Sequence, residues 1–437
     1  MQLTEEQKEA SVAIINFLVN QEQKELILSS PAGCGKTFLV SWFLKEGYKC
    51  YKSACIEQGK PYLYTDTPVV VATTNKAAEV LSNNLMMSVS TIHKYLGLVV
   101  CNNLHSGTTT LEKSKEYKRI SRKIIFIDEC SMIDQQLYSY IQNTVSDSKI
   151  IYVGDKNQLP PVNSGLSPIY TRFPAIPLIE LNKNVRQQKH VELLDLATQL
   201  RNTVETGIFK PIKTFKGTIE HISGEDFKEK IDKHFLTPTT DSKILAYTNK
   251  RTLEYNTYIK YNLRKYEDIF VVGEHYILNS VLFTAKTPRD KSVLYSTDTE
   301  IIIKNIRGIS TYKDTSAPFD TITLDVQSTY DLTPNMIRVP LNPLDLIKAL
   351  KTEASLKEWG RYFNLKEFIA DVRLADCSTI HKAQGSTYKN VFLDLSDLNY
   401  CRNPNTVARL LYVACSRATD HIYLYGSLQN KYGGIIE

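Results

Sequence analysis

Ser30-Pro31-Ala32-Gly33-Cys34-Gly35-Lys36-Thr37 decides how this chain is read. The octapeptide follows the apolar triplet Leu26-Ile27-Leu28, a short buried strand by its composition, and precedes Phe38–Leu44, which starts a helix. Gly33 and Gly35 let backbone N–H groups turn inward around phosphate oxygens, and the N-terminus of the following helix adds a favourable dipole. In that geometry Lys36 reaches the β- and γ-phosphates and the Thr37 hydroxyl ligates Mg²⁺, while Pro31, Ala32, Gly33, Cys34 and Gly35 form the cradle. The stretch departs from the phosphate-loop pattern at Ser30, which replaces a turn glycine and not a phosphate ligand. Such a loop needs a partner carboxylate. Asp128-Glu129, directly after the apolar run Ile124-Ile125-Phe126-Ile127, supplies two: Asp128 to hold the metal through water, Glu129 to orient or deprotonate the attacking water.

Around this loop the chain alternates short apolar strands with helices. A helix over 5–20 follows Thr4 as N-cap and carries Val12, Ile15, Leu18 and Val19 at helical spacing. Strands are expected at Val69-Val70-Val71-Ala72, Ile124–Ile127 and Ile150-Ile151-Tyr152-Val153, with helices over Lys76–Leu81 and Gln135–Gln142. That pattern means a parallel sheet covered on both faces. A second α/β block begins near Leu181, with a helix around Val191–Arg201 and the strand Ile244–Tyr247. From about 262 to 340 the segments become short and β-rich (Phe270-Val271-Val272, Val293–Tyr295, Glu300–Lys304, Ile322–Val326), which predicts a small inserted β-barrel. Residues 344–371 look helical, and α/β character returns from Ser378 to Ile422-Tyr423-Leu424.

Composition adds limits. The 437 residues suggest roughly three domains at about 150 each. With 42% hydrophobic and 23% charged residues, disorder is not the default. No apolar run approaches a membrane span and the first residues lack a signal-peptide pattern, so a soluble protein of the cytoplasm is expected, the bacterial host's if the chain is phage-encoded. Lys plus Arg exceed Asp plus Glu by 53 to 47, a net +6 that permits a nucleic-acid partner without naming one. The eight cysteines are scattered without a second zinc-spaced pair and read as reduced thiols. One pentapeptide recurs: Ser90-Thr91-Ile92-His93-Lys94 and Ser378-Thr379-Ile380-His381-Lys382 are identical. Either this is coincidence, or two similar halves present the same polar loop to one extended ligand.

At Gly154-Asp155-Lys156-Asn157-Gln158-Leu159-Pro160-Pro161-Val162 the chain resembles motif III of superfamily 1 helicases, in particular the RecD-like branch with the Dda-type phage helicases. Other motifs follow in order. Leu3-Thr4-Glu5-Glu6-Gln7 resembles the Q motif, and Thr73–Ala78 resembles motif Ia, with Asn75 where the family usually has His. Asp128–Ser131 is similar to motif II, Asn184-Val185-Arg186-Gln187 to motif IV, Ser378–Thr387 to motif V and Leu411–Ala418 to motif VI.

The resemblance implies an α/β fold of two RecA-like P-loop NTPase domains, binding ATP and Mg²⁺. The first, residues 1–180, carries a β-hairpin pin at about 96–122. The second comprises 181–261 and 378–437, interrupted at 262–377 by an SH3-like barrel with helices. Gln7 would read the adenine edge, Gln158 would sense the γ-phosphate, and Arg186 and Arg417 would be arginine fingers across the cleft. Gly385 would allow close approach to nucleotide or strand. Thr74, Asn75, Lys76, Thr91 and His93 on one half, and Thr379 and His381 on the other, would contact successive phosphates of single-stranded nucleic acid; a core or capping role is the alternative for either histidine. The basic stretch 112–123 reads equally as a solvated loop. The activity implied is an ATP-dependent 5′-to-3′ DNA helicase, acting as a monomer on single-stranded DNA and duplex junctions, among replication or recombination proteins. An RNA helicase, or a motor subunit of a larger nuclease complex, are the alternatives.

Overall fold

The computed structural model describes residues 2–64, 66–161, 165–172, 174–183, 190–285, 291–328 and 331–436. Two parallel sheets dominate it. The first has six strands in the order Leu178–Glu180, Glu25–Ser29, Lys149–Gly154, Ile124–Asp128, Val69–Ala72 and Ser90–Thr91. Its central strands read as unbroken apolar runs because both faces are covered. Leu26, Leu28, Phe126, Ile151 and Val153 point into one core, and Ile27, Ile125, Ile127 and Tyr152 into the other. The second sheet has five strands in the order Ile219–Ile222, Ala418–Tyr425, Tyr388–Asp394, Ser242–Ala246 and Cys377–Thr379. It divides its residues the same way, Leu245, Val391 and Leu393 against Ile244, Phe392 and Tyr423.

Local sequence sets the helix boundaries. Thr4 caps Glu5–Val19 through a capping box with Gln7, but the helix buries Ile14, Phe17 and Leu18 and leaves Val12 56% exposed. Spacing alone placed Val12 on the core face; the direction of the sheet beneath selects a stripe that excludes it. The helix Gln135–Thr144 starts at the Asp134 cap, and Val191–Thr206 ends where Gly207 takes the left-handed conformation. No described helix is long and apolar enough to cross a membrane.

Between the strands Ser242–Ala246 and Cys377–Thr379 lies an antiparallel sheet in the order Asn335–Pro340, Phe319–Gln327, Glu300–Tyr312, His275–Leu278 and Val372–Leu374. A separate ribbon pairs Leu282–Ala285 with Lys291–Tyr295. The described ladders do not close into a ring, and Phe270–Val272 lie in a turn region ahead of the first strand. Two helices, Pro343–Leu356 and Trp359–Phe368, replace the single helical stretch expected, because Lys357 adopts a left-handed C-cap. The insertion is tied to the second parallel unit by Arg264, whose fully buried guanidinium lies 2.9 Å from Glu274 and 2.7 Å from Asp376.

An antiparallel hairpin, Leu98–Asn102 with Thr109–Lys113, rises from the first unit and leans on the insertion. A Cβ on Gly107, at φ +69°, would fall 2.4 Å from the Trp359 ring, and Asn102 Nδ2 donates to Glu367 Oε1 at 2.6 Å. In the basic stretch 112–123, residues 112–113 belong to the hairpin and 120–121 to a short strand, and the loop between them exposes Lys115, Lys118 and Arg119 while Tyr117 packs against the core.

His275 Nδ1 lies 2.7 Å from Glu300 Oε1, an ion pair within the inserted sheet. This bond holds the His275 pKa above its usual 6.5. At Glu300 burial pushes upward, but the His275 bond and the Lys243 charge outweigh it and bring the pKa below its usual 4.5. The pair therefore stabilises most between pH 4.5 and 6.5, fading as pH rises through the raised histidine value or falls through the lowered glutamate one. In thermal unfolding, the Tm deficit of His275→Gln should be widest in that window and shrink above neutrality; a deficit independent of pH would contradict the ion pair.

Candidate functional site

The phosphate loop lies at the carboxyl end of its strand, where ligands of open parallel sheets gather. Gly33 and Gly35 have φ of +89° and +81°, the left-handed conformation that a phosphate cradle needs and that disfavours a side chain. Ser30 is not among the residues with positive φ, so the missing glycine costs nothing here. Its amide donates to Gly154 O at 2.9 Å and its carbonyl accepts from Lys36 Nζ at 2.6 Å. Lys36 also reaches Pro31 O at 3.4 Å, so its ammonium arches over the loop. Burial pushes the Cys34 thiol pKa up, leaving Cys34 a neutral spacer at pH 7.

Asp128 ends the buried strand Ile124–Asp128, separated from the phosphate-loop strand by Lys149–Gly154, and Glu129 follows at φ +54°, a strained conformation for a glutamate. Thr73 Oγ1 holds it by donating to Glu129 O at 3.0 Å. Desolvation and the Glu129 charge push the Asp128 pKa up while Lys36 opposes them, so this carboxylate sits where a cation would be welcome.

Lys36, Thr37, Asp128, Glu129 and Gln158 line one side of a cleft of about 680 Å³, and Gly385 and Arg417 line the other. Pro31, Ala32, Gly33 and Gly35 form its floor. Arg417 is buried, with Nε donating to Val413 O at 3.1 Å and Nη1 to Ser386 O at 3.2 Å. Gln158 is buried too, and its Oε1 has no hydrogen-bond partner, an orphaned acceptor facing the cleft. Gln7 adjoins the phosphate loop, its amide oxygen accepting from Thr4 N at 3.1 Å and its amide nitrogen donating to Cys34 O at 3.4 Å. Arg186, Val162 and the motif around Asn184–Gln187 lie outside the described residues.

Three residues without a sequence-assigned role join the two units beside the cleft. Gln384 Nε2 lies 3.4 Å from Glu129 Oε2 and from Ser131 Oγ, crossing between the two units. Arg409 Nη1 donates to Gln158 O at 2.6 Å and to Lys156 O at 2.8 Å, and Tyr412 OH donates to Asp155 Oδ2 at 2.6 Å. In the sequence Arg409 is marked as the one charge in the apolar run Val407–Val413.

The second group of predicted residues lies elsewhere. Thr74 caps the helix Asn75–Leu85, and Lys76 pairs with Glu79 at 3.6 Å. Thr91 caps the turn Ile92–Tyr95, and burial pushes the His93 pKa down, so its imidazole is neutral. The His381 ring packs 6.1 Å from Tyr247, and desolvation lowers its pKa likewise. Neutral imidazoles donate a hydrogen bond but add no charge.

One family model, an AAA domain, matches residues 14–164, and another, a UvrD-like helicase C-terminal domain, matches 374–425. A structure of two coordinating Pif1 helicases at forked duplex DNA superposes with TM-score 0.52 at 16% identity, covering 100% of this chain and 94% of that one. The chain shares the fold of that helicase. Bacteroides Pif1 bound to single-stranded DNA gives TM-score 0.51 at 15% identity over 100% of this chain and 95% of the other. In sequence, the chain is 24% identical to the ATP-dependent DNA helicase dda of Enterobacteria phage T4, over 96% of this chain and 98% of that protein. An uncharacterised protein of Acanthamoeba polyphaga mimivirus is 24% identical over 94% and 97% of the two chains.

The Arg409 bonds imply that it sets the Gln158 loop without touching the cleft. Arg409→Ala should lower kcat for ATP hydrolysis by roughly ten-fold or more with little change in nucleotide affinity, as expected when an interaction needed in the transition state is lost. Steady-state kinetics with nucleotide-binding titration would check the split.

Proposed function

We propose that this chain is an ATP-dependent helicase that translocates 5′ to 3′ on single-stranded DNA and separates duplex ahead of it. The observation carrying this reading is the cleft itself, in which Lys36, Thr37, Asp128, Glu129 and Gln158 of one parallel unit face Gly385 and Arg417 of the other. Such a cleft makes hydrolysis depend on how the two units are juxtaposed, which is the requirement for converting chemistry into motion. The motif order and the likeness to the dda helicase favour DNA, and the polarity and the RecD-like placement follow the motif resemblance.

The residues fit ATP and Mg²⁺. Left-handed Gly33 and Gly35, the arched Lys36 and the orphaned Gln158 oxygen form a site built for phosphate and water. Thr37 and Asp128 would hold Mg²⁺, which takes its remaining ligands from phosphate and water and neutralises charge on the transferring group. Glu129, its backbone fixed by Thr73, would orient the attacking water and accept its proton. Lys36 would leave the loop carbonyls for the phosphates. Arg417 would balance charge on the phosphoryl group when the units close, with Arg186 as its companion, and Gly385 would keep that wall free of side chain. Thr74, Asn75, Lys76, Thr91 and His93 would hold the strand on the first unit, and Thr379 and His381 on the second. The hairpin braced on Trp359 would serve as the wedge, and the inserted sheet would be the counterpart of an SH3-like barrel. The proposed setting is a monomer in the cytoplasm.

Lys36→Ala should abolish DNA-stimulated ATPase, a loss of roughly a thousand-fold or more for a phosphate-binding lysine. With the native chain and ATP, a 5′-tailed duplex should be unwound and a 3′-tailed one left intact. Exclusive use of the 3′ tail would overturn the polarity, and stimulation by RNA but not DNA would overturn the substrate.

A further inference from the structure

Glu129 is held at two points, and each hold comes from beside the residues proposed to grip single-stranded DNA. Thr73, which donates to the Glu129 carbonyl at 3.0 Å, directly precedes Thr74-Asn75-Lys76. Gln384, whose Nε2 lies 3.4 Å from Glu129 Oε2, belongs to the turn that follows Thr379 and contains His381. Among the described residues, that amide makes the one hydrogen bond to the Glu129 carboxylate.

The two holds differ in what they connect. Thr73 and Glu129 belong to the same unit, where Thr73 N also donates to Asp128 O at 3.2 Å. Gln384 comes from the second unit, so its bond depends on the shape of the turn that carries it. In that turn Lys382 N and Ala383 N donate to Thr379 O at 3.0 and 3.2 Å, and Gln384 N donates to His381 O at 3.3 Å. Ile380 and Ala383 are fully buried, and Lys382 is tied to Asp298 at 2.9 Å and Asn279 at 2.7 Å. These anchors leave the exposed His381, the half-buried Gln384 and the left-handed Gly385 as the parts able to shift. A ligand that draws on His381 moves the carbonyl to which Gln384 is bonded.

The Glu129 carboxylate cannot serve the amide and a water equally well. A hydrogen bond donated to the ionised form stabilises it and weakens its pull on a proton, and it takes a lone pair that water would need. At 3.4 Å the bond is long, so a modest displacement of Gln384 suffices to end it.

We propose that the Gln384–Glu129 contact is a brake on ATP hydrolysis, released when single-stranded DNA engages the turn at Thr379 and His381. The inference rests on the reading of the chain as a DNA motor with Glu129 as its water-activating group. Gln384 is a positioning residue and acts on the reaction only through Glu129. With the contact made, the Glu129 backbone keeps its place through Thr73 while its carboxylate faces the amide. Engagement of DNA leaves the Thr73 bond intact and turns the carboxylate to water. Because the contact and the DNA oppose each other, the coupling is reciprocal, and the brake also weakens DNA binding.

The test is ATP turnover of the full chain at saturating ATP, with and without saturating oligothymidylate. Gln384→Ala should raise the DNA-free kcat roughly three- to ten-fold, the size expected for one long hydrogen bond to a carboxylate, with KM for ATP near native. Gln384→Met, which keeps the length of the side chain without a donor, should do the same. The ratio of DNA-stimulated to DNA-free turnover should shrink in both. Anisotropy of a labelled oligothymidylate without nucleotide should show binding tightened by a similar factor. A gain in turnover cannot come from a loosened fold. If Gln384→Ala lowers or keeps the DNA-free rate while DNA still stimulates the native chain, the brake is refuted and the motor reading stands. Unaltered DNA affinity in the variant would equally overturn the brake. If oligothymidylate neither binds nor stimulates the native chain, the motor reading falls and this inference with it.

Discussion

A parallel strand buried on both faces has no place for a polar side chain except its ends, and this constraint arranges the whole site. The strands Glu25–Ser29, Ile124–Asp128 and Lys149–Gly154 are apolar in their middles, at Leu26–Leu28, Ile124–Ile127 and Ile150–Val153, and become polar together at their carboxyl ends. The phosphate loop, the Asp128–Glu129 pair and the Gln158 loop therefore emerge side by side, although more than a hundred residues separate the first from the last. The second sheet obeys the same constraint. Its edge strand Cys377–Thr379 delivers Ser378 and Thr379 beside the segment after Ala246, and the chain beyond it carries Gly385 to the facing wall of the cleft.

Beside the apolar contact of Leu159 with the core of the second unit, the two units are joined by polar, buried groups. Arg409 inserts a guanidinium from an apolar helix into the backbone of the Lys156–Gln158 turn, Tyr412 reaches Asp155, and Gln384 reaches Glu129. Charged hydrogen bonds in such surroundings are stiff and directional, and they cost several kcal/mol when one partner is left without the other. Arg409 and Tyr412 bind the Asp155–Gln158 turn of one unit to the helix Pro404–Cys415 of the other, which ends two residues before Arg417. A shift between the units would thus be felt at Gln158 and Glu129 directly. The braces on the insertion are of the same kind, with Arg264 locked between Glu274 and Asp376.

Much of this was legible in the sequence. The octapeptide at 30–37, the acidic pair after an apolar run and the alternation of strands and helices suffice for the first unit, because local patterning and backbone chemistry specify them. The pentapeptide repeat announced two related halves. Val12 was misassigned because helical periodicity admits neighbouring stripes and only the packed partner selects among them. Phe270–Val272 has strand composition but finds no ladder. Gln7 carries an adenine-reading expectation from its motif, and the structure places its amide between the helix cap at Thr4 and the phosphate-loop carbonyl of Cys34.

By itself, then, the sequence determined the elements, the phosphate-loop chemistry and the existence of a repeat, since each depends on residues adjacent in the chain. The tertiary structure decided which residues share a space. It brought Arg409 under Gln158, Gln384 against Glu129, and the two copies of the pentapeptide into the same register beside Val69–Ala72 and Ser242–Ala246. Those are contacts or pairings between residues distant in the chain, and no periodicity encodes them. They arise only when two sheets with four covered faces are packed against each other and the leftover polar ends must find partners.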